Sequence, residues 1–294
     1  MRYFKCIRDT VLALSRERPA VLYVQNPSMI LAALACLYQS LFGTPVVVDR
    51  HTTFLLSRKY RNTPRIILYK LLNLYTVRCA ELTIVTNTFL AELVESMGGR
   101  SFVLPDKLPE LIFTQKIALE GRSNLLMISS FGNDEPVEQV INAMDKLQVE
   151  GVSIYITGNY RKKFSDSDIE LWPANVHCTG FLPEQDFLNY LYSVDAVIVL
   201  TTSDYCMLCG CYEAVSSKKP LITSDKDVLS DYFRGAVFVD NSESGIYNAI
   251  IEVLGNLVNY KDKIVLAHAN ITSIWNAQAK KLEYRLKAIE LQRT

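Results

Sequence analysis

Three short polar loops in the second half of the chain have the composition of a phosphate and sugar site. They are Phe131-Gly132-Asn133-Asp134-Glu135-Pro136, Gly158-Asn159, and the run from Thr201 to Gly210. Each follows a short apolar run of the kind that forms a buried strand, and the last leads into a helical pattern containing Glu213. Free backbone N–H groups and the dipole at a helix N-terminus favour phosphate. A carboxylate inside that helix, Glu213, could accept two hydrogen bonds from a ribose diol. Ordinary capped loops fit the same residues, and many α/β domains share the pattern.

Other side chains divide between chemistry and plain structure. His51 comes just after the strand predicted at 46–49, at the strand end where ligands gather in α/β sheets; a structural histidine is the alternative. His177 and His268 have no supporting context and read as structural. Cys206-x-x-Cys209 lacks the four ligands of a zinc site and the thioredoxin-like setting of a redox pair, so it reads as small residues packing a tight loop. From Arg50 to Ala80 the chain carries Arg50, Arg58, Lys59, Arg61, Arg65, Lys70 and Arg78 and no acidic residue, with Phe54, Leu55, Leu56, Ile66, Ile67, Leu68, Leu71 and Leu72 interleaved. Such a segment suits an anionic membrane surface, at about 1 kcal/mol per basic residue. Arg58, Lys59, Arg61 and Arg65 are the expected contacts, against the plainer reading of a solvated helix face. Aromatic positions for stacking bases are too few here for nucleic acid.

The elements that must position these groups follow from periodicity. Strands are predicted at 20–25, 46–49, 82–86 and 101–104. After an aperiodic stretch they resume at 124–130, 152–157, 176–179, 196–200, 220–223 and 236–239. Helical patterns fill the gaps, and the chain is helical from 244 onward, in pieces around 256–260 and 270–272. Strand and helix alternation of this kind makes βαβ units with parallel sheets. The expectation is two Rossmann-like doubly wound α/β domains. The first (1–110) has about four strands and is incomplete; a linker (111–122) leads to a complete second domain (123–270). A C-terminal helix (271–294) packs back on the first domain.

Composition bounds the function. The chain has 294 residues, 49% hydrophobic and 21% charged, which is globular. Its 31 basic and 31 acidic residues balance, which argues against a nucleic-acid binder. The balance hides an asymmetry: residues 1–120 hold 15 Lys/Arg against 9 Asp/Glu, and residues 121–294 hold 16 against 22. Seven sparse cysteines and no secretory signal at Met1 point to the cytosol. The longest apolar stretch, 29–41, is interrupted by Gln39 and Ser40 and is shorter than the roughly 20 residues of a spanning helix. The absence of a G-x-G-x-x-G fingerprint speaks against a dinucleotide oxidoreductase.

The segment Cys209-Gly-Cys-Tyr-Glu213-Ala-Val-Ser-Ser-Lys-Lys-Pro220-Leu-Ile-Thr-Ser-Asp225 resembles the donor-site signature of group 1 (family 4-like) glycosyltransferases of the GT-B fold. Thr157-Gly158-Asn159, the run 175–181, Ser193-Val194-Asp195-Ala196 and the run 235–240 are similar to its other landmarks. The pair Tyr23–Pro27 and Val47–His51 resembles the acceptor domain of transferases acting on lipid-linked glycans. The resemblance implies that Glu213 binds the donor ribose, and that the backbone at Met207, Leu208 and Cys209 holds the diphosphate. It also implies that Ser130 and Gly132 line the phosphate side, that Gly158 and Asn159 approach the base, and that His51 faces the transferred sugar or the acceptor hydroxyl. Many members carry a second Glu eight residues before the first. Tyr205 stands there, with Asp204 one residue away, so the usual sugar-contacting carboxylate is absent or displaced; Asp204 and His51 are the expected catalytic residues and Tyr205 is expected on the donor. The family's Arg and Lys on the phosphates are not obvious. Arg161, Lys162 and Lys163 are the nearest basic residues and read as a solvated loop.

The resemblance therefore implies an N-terminally shortened enzyme that moves a sugar from a nucleotide-diphosphate donor to a lipid-linked or other glycan acceptor. The role would be cell-surface polysaccharide or glycolipid synthesis. No metal and no cofactor are expected, the nucleotide sugar being a substrate. The place would be cytoplasmic, peripheral on the inner membrane face. The alternative is a catalytically impaired or partner-dependent protein that keeps the nucleotide-sugar fold, with a partner protein supplying what is missing.

Overall fold

The computed structural model describes residues 2–25, 28–51, 63–113 and 115–291. The chain forms two compact units, one of Met1–Asp106 with Trp275–Thr294 and one of Lys107–Ile274.

In the first unit the apolar runs form four strands, β1 (Leu22–Gln25), β2 (Val46–Arg50), β3 (Leu82–Val85) and β4 (Ser101–Val103). They pair in parallel and lie in chain order, with no reversal among them. Alternate side chains serve opposite faces, as the two-residue period requires. Val46 and Val48 pack with Ala32, Ala35 and Cys36 of helix α2 (Met29–Phe42). Val47, Leu82 and Ile84 pack with Leu282. Ser28 caps α2 by accepting from Leu31 N–H at 3.4 Å, and Gly43 ends it in the left-handed region at φ 75°. Thr63 and Pro64 open α3 (Pro64–Cys79), and Asn87 caps α4 (Thr88–Ser96). Helix α1 (Arg2–Glu17) was not anticipated from the sequence. It touches α2 through the Tyr38 hydroxyl, which donates to Leu14 O at 3.2 Å.

The second unit has six parallel strands: β5 (Ser123–Met127), β6 (Val152–Thr157), β7 (Val176–Gly180), β8 (Ala196–Val199), β9 (Leu221–Ser224) and β10 (Val237–Val239). Their order is β10-β9-β8-β5-β6-β7, so the winding reverses between β5 and β8. On one face α5 (Val137–Lys146) and α10 (Glu243–Gly255) bury Val140, Met144, Ile246 and Ile250 against Leu125, Met127, Ile154 and Ile198. On the other, α7 (Glu184–Ser193), α8 (Cys209–Ser216) and α9 (Asp227–Tyr232) bury Leu191, Ala214, Val215 and Leu229 against Leu126, Val197 and Val199. A short helix, α6 (Asp166–Glu170), carries a Ser165 capping box. Lys219 of the Lys-Lys-Pro step donates to the carbonyls of Tyr192 and Val194 at 2.7 and 2.6 Å, closing the end of α7.

Two sequence expectations change. The stretch 111–122, read as a linker, is packed into the second unit. Leu111, Phe113 and Leu119 lie on its core, Ile117 N–H donates to Ser193 Oγ at 2.9 Å, and Glu120 N–H donates to Tyr155 Oη at 2.7 Å. The final helix, α11 (Leu257–Leu291), runs unbroken through 270–272. Its buried Ile264, Ala267 and Ile271 belong to the second unit, and Trp275 onward belongs to the first. Pattern alone missed this because Asn270 and Thr272 are weak helix formers that tertiary packing carries along.

Candidate functional site

In an open parallel sheet the strand-order reversal leaves a crevice at the carboxyl ends of the strands. In the second unit it falls between β5 and β8, so the loops 128–136 and 200–208 flank it. Hydrogen bonds tie these loops to their neighbours. Asp134 Oδ2 accepts from Thr201 Oγ1 at 2.8 Å, and Thr202 N–H donates to Asp134 O at 2.6 Å. Thr201 N–H donates to Ser224 Oγ at 2.8 Å, Ser224 Oγ donates to Asn241 Oδ1 at 2.6 Å, and Asn241 Nδ2 returns to Thr201 O at 2.9 Å. The ends of β5, β8, β9 and β10 are thus one hydrogen-bonded frame.

Gly158, at the end of β6, sits at φ 108°, and a Cβ there would lie 2.1 Å from Ser129 O. Only glycine lets the β6 loop come so close to the β5 loop. Asn159 follows, exposed, ahead of a 3-10 turn at Tyr160–Lys162. The N–H groups of Ser130 and Gly132 both donate to the Glu135 carboxylate.

Helix α8 starts at this crevice, and Leu208 at its N-cap offers no side-chain acceptor. The first turn therefore has donors that a phosphate can take. The helix start presses on the sheet: a Cβ on Gly210 would meet Val199 and Ile128 at 3.0–3.1 Å. Met207 and Leu208 are half-buried and Cys209 is exposed. Glu213 is half-buried, and burial pushes its carboxyl above the usual range. Its carboxylate makes no hydrogen bond or ion pair with the described residues. A partly desolvated carboxylate without a partner is costly unless a ligand satisfies it.

Several basic side chains lie near these loops, one of which, Lys226, sequence reasoning did not single out. Asp204 is salt-bridged to Lys226 at 2.6 Å, and the Lys226 side chain is only 22% exposed. The signal was slight: a lysine just past a strand ending in Ser224-Asp225. Of the three basic residues read as a solvated loop, Arg161 pairs with Asp166, whereas Lys162 Nζ donates to Ser130 O at 2.8 Å and Lys163 Nζ to Glu135 O at 3.5 Å. Two of them therefore reach the β5 loop. Tyr205 is 40% exposed. Cys206 is half-buried, and burial, then the nearby Asp134, raises its thiol pKa. Among the described residues no group of three His, Cys, Asp or Glu is placed to hold a metal ion.

In the first unit His51 follows β2, and its Nε2 lies 2.9 Å from both oxygens of Asp49. Its Nδ1 lies 3.6 Å from Asp106 Oδ1. The Asp49 hydrogen bond raises the imidazole pKa, burial opposes it, and the charges of Asp49 and Asp106 add to the rise. Burial raises the Asp106 carboxyl. Both ring nitrogens thus face carboxylates, an arrangement that favours the imidazolium. Asp106 was missed because it follows the last strand of the unit in a stretch without periodicity.

The basic stretch is only partly placed. Arg58, Lys59 and Arg61 lie outside the described residues. Arg50, counted with them, is buried at 2% exposure against Asn73 and Thr76, with burial lowering its pKa to about 10, so it faces no membrane. Arg65 is exposed in the first turn of α3, over the Tyr69 ring. Exposed apolar residues share its helix (Ile67, Leu68, Leu71) and line α2 (Leu37, Leu41, Phe42). Among the described residues no helix is long and apolar enough to cross a membrane.

Residues 110–264, more than half of the chain, match the family of glycosyl transferases group 1. The chain belongs to that family. Its fold is GT-B. It is similar to sucrose-phosphate synthase from Thermosynechococcus elongatus, with 13% identity and a TM-score of 0.76, covering 97% of this chain and 77% of that one. It is similar to HepE of Anabaena, solved in complex with UDP, with 11% identity and a TM-score of 0.74 over 96% and 82% of the two chains. It is also similar to the trehalose 6-phosphate synthase of Burkholderia multivorans, with 11% identity and a TM-score of 0.68 over 96% and 74%. No curated protein matches it by sequence.

Proposed function

We propose that this glycosyltransferase takes its sugar from a nucleotide-diphosphate donor and passes it to a lipid-linked glycan in cell-surface polysaccharide or glycolipid synthesis. The observation that carries the donor half is Glu213, partnerless and partly buried in α8, whose first turn has no side-chain cap. Ribose hydroxyls satisfy Glu213 and the diphosphate takes the helix N-terminus. As the glycosidic bond breaks, the negative charge growing on the diphosphate is offset by the helix terminus, with Lys226 and Lys162 as the nearby cations, and no metal is called on. Asp204, held by Lys226, and Tyr205 face the sugar. Gly158 and Asn159 approach the base; HepE, solved with UDP and with UDP-glucose, supports uridine as the first base to test. His51, between Asp49 and Asp106, works at the acceptor hydroxyl or the sugar.

Arg65 and the exposed apolar residues of α2 and α3 support peripheral contact with an anionic inner-membrane face. A second reading, a nucleotide-sugar-binding protein impaired in catalysis or dependent on a partner, is favoured by Asp204 being engaged with Lys226. The test offers UDP-, GDP- and ADP-sugars to the full chain on anionic vesicles carrying polyprenyl-linked glycan, following release of the nucleotide and sedimentation. Turnover supports the first reading; binding without turnover supports the second. Failure to bind any nucleotide sugar sinks both, and vesicle binding unaffected by neutralising Arg58, Lys59, Arg61 and Arg65 sinks the membrane part.

A further inference from the structure

One carboxylate in the second unit receives an unusual concentration of donors. Glu135 Oε2 accepts from Ser129 Oγ at 2.6 Å, and Glu135 Oε1 from Ser130 Oγ at 2.9 Å. Ser130 N–H lies 3.1 and 3.0 Å from the two oxygens, and Gly132 N–H lies 3.1 Å from Oε2. Between them Phe131 adopts φ 57°, a left-handed conformation uncommon for a non-glycine residue. Its own N–H is taken by Ser129 Oγ at 3.0 Å, and its ring is buried in the core at 2% exposure. Main-chain N–H groups turned into one hollow by a left-handed residue form a nest, a backbone device for binding anions. The anion here belongs to the chain. Lys162 and Lys163 sit on the carbonyl side of the same loop, at Ser130 O and Glu135 O.

We propose that the β5 loop is an anion-binding nest that the chain fills with its own Glu135, which makes Glu135 a positioning residue that fixes Ser130 and Gly132. The inference deepens the proposed donor site, and it rests on that reading only for what the loop faces. With the nest occupied by a carboxylate, a phosphate cannot enter it. The diphosphate is left to the N-terminus of α8, and the cations must come from beyond the β5 loop. Removing the carboxylate frees a site for a small oxyanion: formate or inorganic phosphate.

The test uses the full chain and needs no turnover, so its failure is separate from failure of the proposed activity. Two variants are compared with wild type by thermal unfolding and by hydrogen exchange. Glu135→Ala is expected to unfold at lower temperature. Formate and inorganic phosphate, but not chloride at equal ionic strength, are expected to restore part of the loss, while wild type shows no such anion-specific gain. Glu135→Gln keeps the shape and fills the hollow, so it is expected to fold without anion rescue. Its amides at 129–132 should exchange on the order of tenfold faster, the equivalent of one charge-assisted hydrogen bond. Exchange at 129–132 unchanged in Glu135→Gln overturns the proposal, including where Glu135→Ala does not fold. A folded Glu135→Ala that responds to formate and phosphate no differently from chloride overturns it as well.

Discussion

Replacing Glu213 by Gln tests the donor site through two effects of opposite sign. Burial raises the Glu213 carboxyl above its ordinary value of 4.5. A carboxyl whose folded pKa exceeds its unfolded one binds its proton more tightly when folded. Stability is therefore lost as pH rises from the unfolded value through the folded one, and the penalty persists at neutral pH. Gln removes the charge and keeps the shape, so the ligand-free variant is expected to melt above wild type at pH 7, the difference closing below about pH 4. Binding should move the other way. A carboxylate holding a ribose diol makes two charge-assisted hydrogen bonds, and the neutral amide keeps one acceptor. The loss is about 1.5–3 kcal/mol, roughly 10- to 150-fold in Kd.

The assay is calorimetric titration with whichever of UDP, GDP and ADP most stabilises wild type, beside thermal scans from pH 4 to 8. A variant that is less stable at pH 7 and binds nucleotide as wild type does would refute the reasoning. Glu213 would then be a structural group with a partner in solution.

Gly158→Ala places a Cβ against Ser129 O at a backbone angle that only glycine tolerates. Strain and overpacking together cost about 2–5 kcal/mol, or on the order of 5–15 °C in the melting temperature of a unit this size. Gly180→Ala, also at positive φ but with nothing within 4 Å, should cost clearly less, and equal losses in the two variants would contradict the close-approach argument. Asp49→Asn removes the largest cause of the raised His51 pKa, so the imidazole should titrate at lower pH by NMR. In wild type the His51 contribution to stability is complete below its unfolded pKa and fades as pH rises through the folded value; in the variant it should shrink. An unmoved His51 titration would mean that the carboxylate contact does not persist in solution.

The fold was legible because its signals are local and repeated. Runs such as Val46–Val48 and Ile154–Ile156 are too apolar for anything but buried strands, and Ser28, Thr63 and Asn87 mark helix starts with side chains that can cap them. The candidate site was legible where one segment carries it, as Leu208 to Glu213 does: an uncapped helix start followed by a half-buried carboxylate. What escaped was pairing across distance. Nothing local to Asp204 says that Lys226, twenty-two positions on, bonds to it at 2.6 Å. Nothing local to Ser130 says that Lys162 reaches its carbonyl thirty-two positions away. Asp106 shows the same limit, since it becomes a partner of His51 only once β2 and β4 end at one edge of the same sheet.

These escapes share a cause in the second unit. A reader of the sequence looks for phosphate-binding cations in the loop after β5, and finds Asp134 and Glu135 there instead. The acidic residues are not free charges. Asp134 is spent on Thr201, and Glu135 on the hydroxyls and N–H groups of its own loop. Both charges are turned inward to hold the crevice wall, while lysines from other loops are spent on neighbours: Lys162 on Ser130 O, Lys163 on Glu135 O and Glu138, and Lys226 on Asp204. The loops that meet at the crevice are thus a frame fixed by hydrogen bonds. The Lys226–Asp204 pair stands outside that frame, because no bond among β5, β8, β9 and β10 runs through it.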